Sequence, residues 1–230
     1  GILPMIRELP GANYAITTNG AVIADLKTNK AIRTCGLSNE MVQRILNIAK
    51  KYHSATDPFI DGRAITQPSS IDHMDEFGLS PQMQKLIRDT REVVPDVMEY
   101  VKTTGAQAEK INIFMADLEE REILRKELMA MPELSISSSM YNNLEVNAKG
   151  ADKGSALLWL ADHLGISREE TMAFGDGEND IPMIKAAGIG AAMENALDTV
   201  KEAADTITLN NDEDGVAAAI RKFIFGSSEE

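Results

Sequence analysis

Apolar residues recur at a helical spacing through residues 153–164. Ala156, Leu157, Leu160, Ala161 and Leu164 fall on one face, Asp152 stands at the N-cap position and Gly165 closes the run. A short apolar stretch, Thr171–Gly175, then reads as a buried strand. Ile181–Gly188 reads as a helix with an early proline and a closing glycine. The pattern repeats: a strand at Ile189–Met193, a helix at Ala196–Ala204, a strand at Thr206–Leu209 and a helix from Gly215 to Phe225. Strands alternating with helices predict a parallel sheet with helices on its faces. This third of the chain reads as half of an α/β fold.

Near the start, Asn13–Thr18 predicts another strand, followed by the turn signal Asn19-Gly20. The texture between these ends differs. Asn39–Tyr52 is an amphipathic helix, Lys110–Met115 alternates like a strand, and Asp117–Met131 is a charged helix. Leu134–Ser138 and Leu144–Asn147 read as strands, and residues 57–82, rich in Asp, Pro and Gly, as loops around one short strand. Regular alternation is lost here, which suits an α+β insertion. The expected plan is an α/β core, residues 1–29 and 147–230, interrupted by an α+β module over 30–146.

The chain has 230 residues, 43% hydrophobic and 26% charged, the profile of a soluble globular protein of one large or two modest domains. No window holds the roughly 18 uncharged apolar residues of a membrane span. The opening residues, with an early proline and Arg7-Glu8, do not read as a signal peptide. A single cysteine, Cys35, excludes an internal disulfide framework, so a reducing, cytoplasmic setting is expected. The net charge of −13 makes nucleic acid a poor partner. The excess is uneven. Residues 26–146 hold 15 basic and 18 acidic residues, and the remainder 8 and 18. The remainder therefore presents either a solvated acidic face or acids that serve a cation.

The sharpest constellation is Phe174-Gly175-Asp176-Gly177-Glu178-Asn179-Asp180, at the junction of a predicted strand and helix. Open α/β sheets bind ligands at such junctions. Asp176 and Asp180, four apart across a glycine-containing turn, can face one crevice, and hard oxygen ligands with water suit Mg²⁺. The alternative is an Asx turn in which Asp180 caps the helix. Lys153 opens the preceding helix and reaches the same end of the sheet, where it would hold a phosphate oxygen. An isolated lysine is by itself an ordinary surface residue. Taken together, the lysine and the acids read as Mg²⁺ plus phosphate.

Five segments in order carry a family resemblance. They are Asp152-Lys153-Gly154-Ser155-Ala156-Leu157, Ala173–Met183, Gly190–Ala196, Ala204–Thr208 and Asp214–Ile220. Together they resemble the Cof-type phosphatases, subfamily IIB of the haloacid-dehalogenase-like (HAD) superfamily. Tyr14–Ile23 is similar to the strand and turn before that family's mobile cap, and Ser137–Leu157 to the return into the core. The resemblance implies a HAD-like Rossmannoid parallel-sheet core with an inserted α+β cap at 30–146. It implies that Lys153 steadies the phosphoryl group, that Asp176 ligates Mg²⁺ directly and that Asp180 supports the metal or its waters. It places Asn179 close to the phosphate and Asn19 at the mouth of the cleft. The implied activity is hydrolysis of small phosphomonoesters such as sugar phosphates through an aspartyl-phosphate, with a small phosphorylated metabolite as partner.

One departure stands out. The relatives carry an Asp-x-Asp-Gly-Thr strand that supplies nucleophile and general acid, and nothing resembling it occurs here. The chain is therefore expected to be N-terminally incomplete and inactive as it stands. Alternatives are a phosphosugar mutase or dedicated sugar-phosphate phosphatase of the same subfamily, or a non-catalytic metabolite or metal binder. Oligomeric state is not legible. His53, His73 and His163 share no ligand spacing, Asp72-His73-Met74-Asp75 reads as a solvated turn, and most of the twelve methionines fill core gaps.

Overall fold

The computed structural model describes residues 10–226. The expectations placed on residues 1–9, including the first part of the 1–29 core segment, lie outside the described residues. The chain divides into two compact units, Gly1–Ala151 and Asp152–Glu230.

In the first unit, β1 (Tyr14–Thr17), β2 (Val22–Asp25) and β3 (Lys30–Thr34) form an antiparallel sheet in the order β1-β2-β3. A left-handed turn joins the first two strands, with φ of 49° at Thr18, 59° at Asn19 and 98° at Gly20. This is the conformation that Asn-Gly tolerates best. Helix α1 (Asn39–Ala49) follows, its first turn capped by the Ser38 hydroxyl, which accepts from the Met41 N–H. Val42, Ile45, Leu46 and Ala49 form its buried stripe.

The second sheet of this unit contains β4 (Ser54–Ile60), β5 (Arg63–Thr66), β6 (Arg91–Val93), β7 (Lys110–Met115), β8 (Leu134–Ser137) and β9 (Asn143–Ala148). Its order is β6-β5-β4-β7-β9-β8. Residues 57–82, read as mostly loop from sequence, instead supply much of β4, a hairpin and β5. They continue into α2 (Pro68–Asp72), a 3₁₀ turn at Met74–Phe77 and the start of α3 (Pro81–Thr90). The hairpin turns through Asp61 and Gly62, both at positive φ, as a two-residue connection requires.

Strand alternation gives this sheet two unlike faces. Ile111, Ile113 and Met115 of β7 and Leu144 and Val146 of β9 join α1, α4 (Val97–Thr104) and α5 (Leu118–Met129) in the main core, with Val101, Leu124 and Leu128 fully buried. On the other face, Asp57, Asn112, Glu145 and Ser137 stand opposite one another on four neighbouring strands. Beside them, Ala55 and Phe114 pack under Met74, Phe77, Leu79 and Ile87.

The second unit contains α6 (Lys153–His163), β10 (Met172–Gly175), α7 (Ile181–Ala186), β11 (Ile189–Ala192), α8 (Asp198–Ala203), β12 (Thr206–Ile207) and α9 (Gly215–Phe223). The strands pair in parallel in the order β10-β11-β12, as the alternation predicts. Ile184, Ala192, Met193, Ala196 and Val200 form its core, with Phe174 and Ile181 packed against it. The α6 stripe is narrower than expected. Ala156 and Ala161 are buried and Leu157 and Leu160 half-buried, but Leu164 is 42% exposed, because the helix ends at His163 and the chain turns away at Gly165.

The unit boundary falls between Ala151 and Asp152, whereas the sequence reading divides the chain at 29/30 and 146/147. The local cause is pairing. Lys30–Thr34 completes the ladder begun by β1 and β2, and β9 runs on to Ala148 before the chain reaches the α6 cap. Among the described residues, no helix is long and apolar enough to cross a membrane.

Candidate functional site

Where β10 ends, the chain makes a 3₁₀ turn at Glu178–Asp180 and enters α7. Asp180 is buried, and its carboxylate organises that turn. Oδ2 accepts the backbone N–H groups of Asp176 (3.0 Å) and Gly177 (3.1 Å), and Oδ1 accepts from Lys153 Nζ. Gly175 makes room for this arrangement. A Cβ there would lie 2.2 Å from Asp180 Cβ, so any side chain at position 175 would displace the carboxylate.

Lys153 reaches Asp180 because α6 starts against α7. The Asp152 carboxylate caps α6, taking the Ser155 N–H at 2.8 Å and the Ser155 hydroxyl at 2.6 Å. Gly154, one residue further on, lets the two helices touch. A Cβ on it would sit 2.3 Å from the Pro182 carbonyl oxygen. The lysine side chain is 27% exposed and that of Asp180 8%, so the pair is buried on its aspartate side and reached by solvent on its lysine side.

Asp176 is exposed, unlike Asp180. Its Oδ2 accepts from Asn195 Nδ2 at 3.2 Å, and its carbonyl accepts the Leu197 N–H at 3.2 Å. Asn179 lies in the same turn, its amide oxygen 3.1 Å from where a Gly177 Cβ would stand. Four of the five sequence-predicted residues, Lys153, Asp176, Asn179 and Asp180, thus belong to one end of β10 and the helix starts beside it.

Asn19, the fifth, belongs to the first unit. Its amide donates to Glu145 Oε2 at 2.9 Å and Asn147 Oδ1 at 3.2 Å, while Asn147 Nδ2 donates back to the Thr18 carbonyl at 2.9 Å. Glu145 also takes Lys110 Nζ at 2.6 Å, with side-chain exposures of only 5% and 12%. Burial pushes the Glu145 carboxyl up. The Lys110 ammonium and the Asn19 amide outweigh that effect and hold it below the ordinary glutamate value. For Asp57 the balance reverses: burial pushes its carboxyl above the usual range despite the Arg91 guanidinium 3.0 Å away. The first unit also carries an open cleft of about 760 Å³ lined in part by Thr17, Thr18, Phe59, Arg63, Glu109 and Lys110. None of the five predicted residues lines it.

The three histidines are occupied elsewhere. His53 pairs with Glu76 at 3.0 Å, His73 Nδ1 lies 2.8 Å from the Ser69 carbonyl, and His163 stacks on Trp159. Sequence reading did not single out Asn195 or the Lys110–Glu145 pair. Asn195 sits in the quoted Gly190–Ala196 segment, and its amide among acids was the available signal.

The donor set suits a hard cation in part. Asp180 has both oxygens engaged by Lys153 and backbone N–H groups, which leaves Asp176 as the carboxylate able to ligate directly. Among the described residues no three or more His, Cys, Asp or Glu side chains gather as a metal cage. One carboxylate with water filling most positions fits Mg²⁺, which keeps several waters and takes few protein ligands.

The 5-amino-6-(5-phospho-D-ribitylamino)uracil phosphatase YcsE of Bacillus subtilis (strain 168) is 49% identical over 114 residues, which cover 48% of this chain and 46% of that protein. The chain spans about half the length of the curated relatives it matches. A solved haloacid dehalogenase-like hydrolase from B. subtilis superposes with a TM-score of 0.80 at 28% identity, over 92% of this chain and 79% of that one. A sugar phosphatase of HAD subclass IIB superposes at 0.74 with 26% identity, over 92% and 75%. The model of the haloacid dehalogenase-like hydrolases matches residues 1–220, and the parallel sheet of the second unit agrees with that match. The chain belongs to the haloacid dehalogenase-like hydrolase family.

Proposed function

We propose that the protein acts as a Mg²⁺-dependent phosphatase of small phosphorylated metabolites, sugar phosphates among them, and that its second unit supplies the lysine and carboxylate side of the site. The observation that carries this reading is Lys153 and Asp180 paired at the end of β10, beside the exposed Asp176. Three N–H donors on Lys153 can turn from Asp180 to phosphoryl oxygens without leaving the site. Asp180 meanwhile keeps the 176–177 backbone folded, so Asp176 stays in place when the lysine moves. Asn179, in the same turn, offers an amide to the phosphate. Bound Mg²⁺ would be held by Asp176 and water and would spread the charge of the phosphoryl group. The names of the relatives, a phosphoribitylamino-uracil phosphatase and a sugar phosphatase, support a phosphorylated substrate with a sugar-like portion. In this reading the phosphoryl group passes to an aspartate and then to water.

Residues 1–230 contain no Asp-x-Asp-Gly-Thr sequence, which favours a second reading for this chain by itself: it binds Mg²⁺ and phosphate without turning substrate over. One set of measurements tests both. Mg²⁺ should raise the melting temperature of the wild-type chain through binding linkage, and Asp176→Asn should lose most of that rise. With p-nitrophenyl phosphate the 230-residue chain should show no turnover above a blank. A version to which a family member's Asp-x-Asp-Gly-Thr segment is joined ahead of residue 1 should show turnover that requires Asp176. Equal Mg²⁺ stabilisation of wild type and Asp176→Asn would reject the site, and Asp176-dependent hydrolysis by the short chain would reject the second reading.

A further inference from the structure

We propose that Asn195 is a positioning residue that restricts Asp176 to one metal-facing oxygen and thereby favours Mg²⁺ over Ca²⁺. The proposal rests on the reading of Asp176 as a metal ligand. The orientation of the Asn195 amide is set by its other contact. Its Oδ1 accepts the backbone N–H of Asn211 at 3.0 Å, and a backbone N–H can only donate. The Nδ2 end is therefore the one facing Asp176, and it donates to Oδ2 at 3.2 Å.

The loop that carries Asn195 is tied to the same stretch of chain. Met193 N–H donates to the Gly175 carbonyl at 3.0 Å and Leu197 N–H to the Asp176 carbonyl at 3.2 Å. Asn195 thus sits between two backbone anchors to residues 175–176 and a third to residue 211.

The consequence follows from coordination chemistry. With Oδ2 occupied by an N–H donor, Asp176 offers a cation Oδ1 and is held to one-oxygen ligation. Mg²⁺ demands near-octahedral geometry with short bonds, which a single carboxylate oxygen and water satisfy. Ca²⁺ takes more oxygens at longer range and profits from a carboxylate that binds through both. With no phosphoryl group bound, Asp180 has both oxygens engaged, by Lys153 and two N–H groups, and adds no ligand of its own. Removing the Asn195 donor frees Asp176 to rotate and to chelate.

The test is calorimetric titration of the full chain with MgCl₂ and, separately, CaCl₂, in wild type, Asn195→Ala, Asn195→Asp and Asp176→Asn. Melting temperature in EDTA checks that each variant is folded. Asn195→Ala should weaken Mg²⁺ binding by about 10- to 100-fold, the usual cost of losing a partner that orients a metal ligand. It should weaken Ca²⁺ less, so the Mg²⁺:Ca²⁺ affinity ratio falls. Asn195→Asp keeps an acceptor for Asn211 and exchanges the donor for a carboxylate oxygen, so it removes the clamp while keeping the loop contact. Its added charge favours both cations, yet the ratio should fall again. An unchanged ratio in both Asn195 variants, with Mg²⁺ binding lost in Asp176→Asn, overturns this proposal and leaves the metal ligand standing. Equal Mg²⁺ binding by wild type and Asp176→Asn overturns both.

Discussion

Replacing Gly154 by alanine sets two effects of known size against each other. Gly154 is the second residue of α6, and alanine is favoured over glycine in a helix by about 1 kcal/mol. On propensity alone, Gly154→Ala should stabilise the protein. The structure opposes this, because the new Cβ would lie 2.3 Å from the Pro182 carbonyl oxygen and 2.6 Å from its carbonyl carbon. Ordinary contact at that position needs about 1 Å more separation. The atoms in the way are backbone, so no side chain can rotate to relieve the clash. Helix α6 must shift from the start of α7, at a cost of about 1–3 kcal/mol for overpacking. The net effect should be a destabilisation of about 0–2 kcal/mol rather than the gain that propensity alone predicts. The shift should also draw Lys153 from Asp180 and weaken inorganic phosphate binding in the presence of Mg²⁺. Urea denaturation gives the stability and calorimetry the phosphate affinity. A Gly154→Ala protein more stable than wild type, with unchanged phosphate affinity, would refute the argument that this glycine sets the site.

Three further outcomes follow from the same geometry. Lys153→Ala should weaken phosphate binding with Mg²⁺ present while leaving the fold intact, since alanine suits the first turn of a helix; unchanged anion affinity in calorimetry would return Lys153 to an ordinary surface role. Asp152→Ala removes the carboxylate that takes the Ser155 N–H and hydroxyl, and urea denaturation should show a loss of about 1 kcal/mol. Glu145→Gln leaves Lys110 buried beside a neutral amide and should cost about 3 kcal/mol at pH 7. The Glu145 carboxyl is held low in the folded protein, so its contribution is complete above the ordinary glutamate range and lost as pH falls through the lower folded value. The gap between wild type and Glu145→Gln should therefore close on acidification. A gap independent of pH between neutral and strongly acid solution would contradict the assignment.

The α/β third was legible because each signal in it is local. Asp152 really is the α6 cap, Gly165 turns the chain at the end of that helix, and β10, α7 and β11 fall within a residue or two of the apolar runs that announce them. The Lys153 and Asp176–Asp180 motif was readable for the same reason: its acids lie within five positions and its lysine opens the adjoining helix. What escaped depends on pairing across distance. Asn195 meets Asp176 only because β10 and β11 pair in parallel with Gly175 opposite Ala192. Asn19 meets Glu145 across 126 positions. The β4–β5 hairpin was hidden by Pro58, which argues against an interior strand. The β5 ladder reaches only Phe59 and Ile60, so Pro58 pairs on the β7 side alone and no N–H is missed on the other.

The polar row of Asp57, Asn112, Glu145 and Ser137 bears on how the first unit avoids misfolding. Sliding β7 by one position along β4 or β9 would exchange its two faces. Lys110 and Asn112 would enter the apolar layer, Ile111 and Ile113 would leave it, and Glu145 and Lys110 would lose the pairing that makes their burial tolerable. Stranding a charge in that way costs several kcal/mol each. A uniformly apolar row could be equally stable, yet it would not penalise such a slip. Buried charge in this sheet therefore acts against misaligned isomers, so that a refolding chain arrives at one strand alignment rather than a mixture.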